Sequence, residues 1–350
     1  MRRGPGDRVW DHAEPVLRAP QPTAPIGVFD SGVGGLTVLH ELLVGLPQED
    51  FLYVGDSARF PYGDRSAPQL RSFARQIADI LLERGVKLIV VACNSATSSA
   101  IDDLPLHVAE LGYAVDVLGV VGPESNLAVA QTRNGRIGVL ATSATIASGA
   151  YERAVLAADP LVRLTSVACP QLAQISQTGA PITEQDVELA RGYCAPLRAA
   201  GVDTVILGCT HYPFVGALLQ RLLGPQVALV TSGTAIVRRV GHALALRDLA
   251  TPRTSEGRYS FLCTGDASAF AEIGSRFLQL PMGTVDHVEL TGEPSANVAP
   301  EIPGADHRQA ASSDLERLAP SFDSASLSGG VGIPGFPGER SRKTHLEAIA

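Results

Sequence analysis

Two stretches of this chain end in the same way. Lys87-Leu-Ile-Val-Val-Ala-Cys93-Asn94-Ser95-Ala96-Thr97 is matched by Asp203-Thr-Val-Ile-Leu-Gly-Cys209-Thr210-His211-Tyr212-Pro213. Each is a β-branched apolar run closed by a cysteine and small polar residues. A run of that kind reads as a strand buried in a parallel sheet. An earlier pair repeats the theme: Ile26-Gly-Val-Phe-Asp30-Ser31-Gly32 resembles Ile137-Gly-Val-Leu-Ala-Thr142-Ser143. The opening strands lie 111 residues apart and the cysteines 116. A near-constant offset is the trace of a tandem or pseudo-symmetric pair of α/β units. Open α/β sheets hold ligands at the carboxyl ends of their strands. Two thiols, one from each half, are therefore expected to face each other across one small molecule.

Strand and helix patterns alternate through roughly residue 285, which predicts parallel sheets with helices on both faces. Strands are expected at Pro25–Phe29, Asp50–Val54, Lys87–Ala92, Val115–Val121, Arg136–Ala141, Leu164–Ala168, Thr204–Leu207 and Ala228–Val230. Helices are expected at Ser66–Arg84, Ser148–Ala157 and Thr183–Ala200, among others. Residues 1–23 are rich in Pro and Arg, and 289–350 lose apolar periodicity to Pro, Gly, Ser and charge. Both ends read as disordered extensions.

Composition excludes several classes of function. Net charge is −8, which argues against a nucleic-acid surface, where clustered basic charge is needed. Five cysteines with no CxxC pair and no Cys/His zinc spacing point to neither a disulfide framework nor a bound metal. Reduced thiols suit a cytoplasm. No apolar run approaches a membrane span, and the N-terminus lacks the apolar core of a signal peptide. The only lysines are Lys87 and Lys343. Pyridoxal phosphate needs a Schiff-base lysine, and neither position suits one.

Three places can carry chemistry. Asp30-Ser31-Gly32-Val33-Gly34-Gly35 follows a strand and opens a helix. It lacks the third glycine of a dinucleotide fingerprint and the Lys of a P-loop. Its glycines allow a tight turn that offers backbone N–H groups to an anion, or a turn capped by Asp30 or Ser31. Cys93 and Cys209 each stand where a helix should begin, and helix amides lower a thiol pKa. Matched contexts suggest a paired acid and base. Cys169, Cys194 and Cys263 read as inert core residues. Lastly, Pro61 and Gly63 mark a turn presenting Tyr62 and the Gly63 backbone, with Asp56 before it.

At this point the chain resembles the glutamate racemases, within the aspartate/glutamate racemase family. The resemblance rests on Ile26 to Thr37, on Gly55-Asp56 with Pro61-Tyr62-Gly63, on Cys93 to Thr97 and on Leu207 to Pro213, in order and over about residues 24–285. It implies two α/β domains with the active site in the cleft between them, and the second domain inserted in the first. The implied boundaries are 24–120 with 231–288, and 121–230. It further implies a cofactor-independent, often dimeric enzyme acting on glutamate and supplying D-glutamate for peptidoglycan. Cys93 and Cys209 match the two proton-transferring cysteines. Asp30, Ser31, Tyr62, Gly63, Asn94, Ser95, Thr210 and His211 match substrate-holding positions, and Asp30 and His211 match residues that tune the thiols.

The chain departs from the family in several places. Ser95 replaces the usual Thr, Gln177 stands where a Glu is common, and Thr231-Ser232-Gly233 lacks a frequent Asp. Two other readings remain open: a racemase for aspartate or a related amino acid, and an inactive amino-acid-binding regulator on the same fold.

Overall fold

The computed structural model describes residues 17–290; the expected tail from 291 to 350 and residues 1–16 lie outside them. Among the described residues ten strands form two sheets, and every pairing between these strands is parallel. The first sheet takes β1 (Ile26–Asp30), β2 (Phe51–Gly55), β3 (Leu88–Val91) and β4 (Asp116–Gly119), then β9 (Tyr259–Cys263) and β10 (Val285–His287). Its order is β10-β9-β2-β1-β3-β4. The second takes β5 (Arg136–Ala141), β6 (Arg163–Ala168), β7 (Thr204–Gly208) and β8 (Ala228–Val230), in the order β6-β5-β7-β8. Matched one for one, β5 to β8 repeat the order of β1 to β4. The sequence repeat thus pairs topologically equivalent strands: β1 with β5, and β3 with β7.

Strands buried on both faces explain why the runs look continuously apolar. In β1, Ile26 and Val28 join one core while Phe29 joins the core on the opposite face. In β3, Leu88 and Val90 point one way and Ile89 and Val91 the other. The period-2 alternation of a strand is therefore hidden, because both of its faces are covered by helices. The second sheet does the same: Val205 and Leu207 join one core, Ile206 the other. Each such side chain contributes about 1.5–3 kcal/mol by leaving water.

Local signals set the helix ends. Thr183 caps the helix Glu184–Ala200 in a reciprocal box: Asp186 N donates to Thr183 Oγ1 at 3.2 Å, and Thr183 N donates to Asp186 Oδ2 at 2.8 Å. The expected helix at Ser148–Ala157 is displaced. Ser148 closes a short helix (Ser143–Ala147), Gly149 turns left-handed at φ 65°, and the helix runs Ala150–Ala158. The expected strand Val115–Val121 stops at Gly119, since Val121-Gly122-Pro123 already opens the helix Val121–Gln131, where proline is tolerated in the first turn. Strands β9 and β10 were not anticipated at all. β10 is a three-residue edge strand, and β9, paired between β10 and β2, buries only Phe261, Leu262 and Cys263, so their apolar signal is short. No described helix is long and apolar enough to cross a membrane.

The expected disordered start also shortens. Arg18 N donates to Gly112 O at 2.8 Å, and Ala114 N donates to Arg18 O at 3.1 Å. Just beyond, the buried ammonium of Lys87 donates to Pro22 O and to Glu49 Oε2, each at 2.5 Å. Backbone pairing, rather than apolar burial, fixes residues 17–23, and composition does not register it. At the other end Leu290 packs against the core of the first sheet.

Lys87 and Glu49 are both shielded from solvent, at 0% and 6% side-chain exposure. Removing one partner strands the other's charge. Lys87→Met should therefore lower unfolding stability by about 3–5 kcal/mol, seen as a lower urea midpoint. An unchanged midpoint would show that the pair contributes nothing.

Candidate active site

In the first sheet the chain passes from β1 to β2 on one side and then crosses to β3 on the other. The crevice between β1 and β3 is a topological switch point, where such sheets bind ligands. The second sheet has its switch point between β5 and β7. Cys93 follows β3 and Cys209 follows β7, and both line one small cavity. Ser31, Tyr62, Gly63, Asn94, Ser95, Thr142, Thr210 and His211 line it with them. The free volume is about 20 Å³, room for roughly one water.

The glycine turn after β1 does bind an anion, but the anion is Asp30 itself. Its Oδ2 accepts from Gly32 N at 3.2 Å and Gly35 N at 3.0 Å, and Oδ1 accepts from Thr210 Oγ1 at 3.3 Å. Asp30 is fully buried, and burial pushes its carboxyl above the ordinary value against those hydrogen bonds. Gly34 must be glycine for space: a Cβ there would sit 2.4 Å from the His211 ring and 2.5 Å from Thr210 Oγ1.

Cys93 is the N-cap of the helix Asn94–Ala100, and its Sγ accepts from Ala96 N at 3.5 Å. The expected lowering of its pKa does not follow. Burial, with the nearby Asp30 charge second, pushes the thiol up to about 12. Cys209 is also pushed well up by burial. Unlike Cys93 it does not open a helix, because a 3-10 turn, Tyr212–Val215, intervenes. A single amide from a short helix does not offset full desolvation.

His211 lies beside Cys209, with Nδ1 4.0 Å from Sγ. Burial pushes the imidazole down to about 4, so it is neutral at pH 7. Its Nε2 is 2.8 Å from Gln177 Oε1. A carbonyl oxygen only accepts, so Nε2 carries the hydrogen and Nδ1 offers its lone pair toward the thiol. Gln177 thus fixes the tautomer without adding charge. The ring is packed between Phe60 and Phe277, each with its centroid 5.3 Å away.

The remaining predicted residues are anchored from behind. The Tyr62 hydroxyl donates to Asp56 Oδ2, which also accepts from Arg59 Nε at 2.6 Å. Asp56 is therefore an anchor for the Tyr62 loop rather than a helix cap. Ala144 N donates to Gly63 O at 2.9 Å, joining that loop to the second half. Ser95 Oγ is 2.8 Å from Thr142 Oγ1 and 3.3 Å from Thr145 Oγ1. Asn94 Nδ2 reaches Glu124 and the Tyr151 hydroxyl. Glu124, Tyr151 and Thr145 were missed by the sequence reading. Thr142 stood in the repeat, aligned with Ser31, and that was its one available signal. Glu124 belongs to no motif.

A family model described as Asp/Glu/Hydantoin racemase matches residues 37–240. A glutamate racemase of Mycobacterium tuberculosis is 44% identical over 268 residues, which is 76% of this chain and 97% of that protein. The structure of glutamate racemase isoform RacE1 from Bacillus anthracis aligns with a TM-score of 0.72 at 33% identity, covering 77% of this chain and 99% of that one. That of the Francisella tularensis glutamate racemase in complex with D-glutamate aligns with a TM-score of 0.71 at 31% identity, covering 77% and 99%.

Both thiols are buried and held protonated at neutral pH. Iodoacetamide at pH 7.5 should therefore leave Cys93 and Cys209 unlabelled in the folded protein and modify all five cysteines in urea. Peptide mass spectrometry reads this; rapid native labelling of either cysteine would contradict the burial argument.

Proposed function

This chain belongs to the Asp/Glu/hydantoin racemase family, and we propose that it interconverts L- and D-glutamate by exchanging the Cα proton between Cys93 and Cys209. The observation that carries this reading is the single cavity lined by both thiols, one from the switch point of each sheet. Proton removal from one face of Cα and return to the other needs two groups on opposite sides. Two equivalent strand ends supply that arrangement.

One cysteine, as thiolate, takes the Cα proton and becomes a thiol. The other, as thiol, gives its proton to the opposite face and is left as thiolate. Proton and charge balance, and the reverse reaction exchanges the roles. The two sulfurs therefore titrate as a coupled pair. In the closed cavity burial opposes the thiolate. An entering amino acid brings an α-ammonium, and a cation close to a thiol favours its ionised form. Asp30 tunes the Cys93 side, and the neutral His211 turns its Nδ1 lone pair toward the Cys209 thiol. Ser31, Tyr62, Gly63, Asn94, Ser95, Thr210 and His211 hold the substrate. Polar groups already oriented around its carboxylate stabilise the charge that develops at Cα. An amino acid does not fit a one-water space, so the walls part to admit it.

The same reading includes D-glutamate for peptidoglycan as the product's use, a cytoplasmic location supported by five free cysteines, and a homodimer supported by the family resemblance. No cofactor enters the mechanism.

The test follows optical rotation of L-glutamate and of L-aspartate without added pyridoxal phosphate, in D₂O. Glutamate should racemise and gain deuterium at Cα; preferential turnover of aspartate would overturn the substrate assignment. Cys93→Ser and Cys209→Ser should each lower the rate by about 10²–10⁴-fold. Cys169→Ala, Cys194→Ala and Cys263→Ala should retain most activity. Near-normal turnover in either serine variant would end the two-thiol mechanism.

A further inference from the structure

Glu124 is fully buried in the helix Val121–Gln131, and no cation partners it among the described residues. Three donors from three other helices converge on its carboxylate. Asn94 Nδ2 lies 3.2 Å from Oε1 and 3.1 Å from Oε2, the Tyr151 hydroxyl donates to Oε2, and the Ser232 hydroxyl donates to Oε1. An ionised carboxylate only accepts hydrogen bonds. The Asn94 side chain must then turn its NH₂ toward Glu124. The same nitrogen also donates to the Tyr151 hydroxyl at 2.9 Å. Both amide hydrogens are thereby engaged, and Asn94 Oδ1 is left buried with no partner.

A buried acceptor without a donor calls for an explanation. Asn94 lines the cavity between the two thiols. The amino acid proposed to enter there carries an α-ammonium, which has donors only. We infer that Glu124 is a positioning residue that, by holding the Asn94 amide nitrogen, presents Asn94 Oδ1 to the α-ammonium of the substrate. The inference rests on the amino-acid substrate proposed above.

The environment of Glu124 makes the arrangement sensitive to pH. Burial pushes its carboxyl up to about 7, against the three hydrogen bonds. The groups facing it are Asn94 and Ser232, which do not titrate, and Tyr151, whose hydroxyl is raised far above neutral pH. His211 is held down near 4 and Cys93 up near 12. Above pH 7 Glu124 is ionised and enforces the amide orientation. As pH falls through 7 it gains a proton, can donate to Oδ1, and releases Asn94 to turn.

The experiment compares calorimetric binding of L-glutamate with that of glutarate, which keeps both carboxylates and lacks the ammonium. Wild type and E124Q are titrated between pH 6 and 8.5, and racemisation is followed in parallel. E124Q should weaken glutamate about tenfold or more, the worth of a hydrogen bond to a charged group, and leave glutarate unchanged. KM should rise with kcat little altered. In wild type the ratio of glutamate to glutarate affinity should fall below pH 7, a readout that needs no variant. Equal weakening of both ligands, or a ratio flat with pH, would overturn the role. A wild-type chain that racemises no glutamate fails the functional reading instead. An active wild type whose E124Q variant still favours glutamate over glutarate as strongly as wild type fails this inference alone.

Discussion

The Asp30 carboxylate is the interaction on which the site depends. It closes the glycine turn through Gly32 and Gly35 and takes the Thr210 hydroxyl from beyond β7. One side chain thereby shapes the loop after the first strand and ties it to the segment carrying the second cysteine. Its charge acts on Cys93 and on Tyr53, whose hydroxyl donates to Gly32 O at 2.8 Å and braces the same turn. Holding an anion at zero exposure is costly, and the amides and hydroxyl around it offset that cost.

Around this anchor the two halves repeat in topology but differ in chemistry. β3 and β7 deliver their cysteines to equivalent positions, because the same strand order places a switch point at the same end of each sheet. What stands next to each thiol differs. Cys93 has the first turn of a helix and Asp30; Cys209 has a neutral imidazole oriented by Gln177. Symmetry thus supplies two opposed groups, and asymmetry lets each be tuned apart from the other. Where a carboxylate partner would draw positive charge onto His211, the Gln177 amide leaves the ring neutral and sets its tautomer.

A second layer braces the first. The Tyr62 loop is held by Asp56, Arg59 and Thr264, the last donating to Asp56 Oδ1 at 2.7 Å. Thr264 follows β9, so the segment that returns to the first sheet braces the Tyr62 loop made some two hundred residues earlier. Ser232 reaches Glu124 from the helix Ser232–Leu246, which packs on helices of both halves. Chain connectivity and site integrity are therefore the same constraint.

Sequence alone determined the strands whose two faces are both buried, their duplication, and the two cysteines at their ends. Those signals are local: a β-branched run and its closing residues need no partner to be recognised. The resemblance to the racemases named Asp30, Ser31, Tyr62, Gly63, Asn94, Ser95, Thr210 and His211 as candidates. Only the tertiary structure decided which anion the glycine turn holds, that burial and not the helix end governs Cys93, and that Gln177 orients His211. It alone placed β9 and β10, whose short buried runs leave little apolar pattern, and the ordered residues 17–23, fixed by backbone pairing. Glu124 was illegible for the same reason. A lone glutamate in a helix gains its meaning from Asn94, Tyr151 and Ser232, residues 30, 27 and 108 positions away, and no local pattern encodes contacts made at that distance.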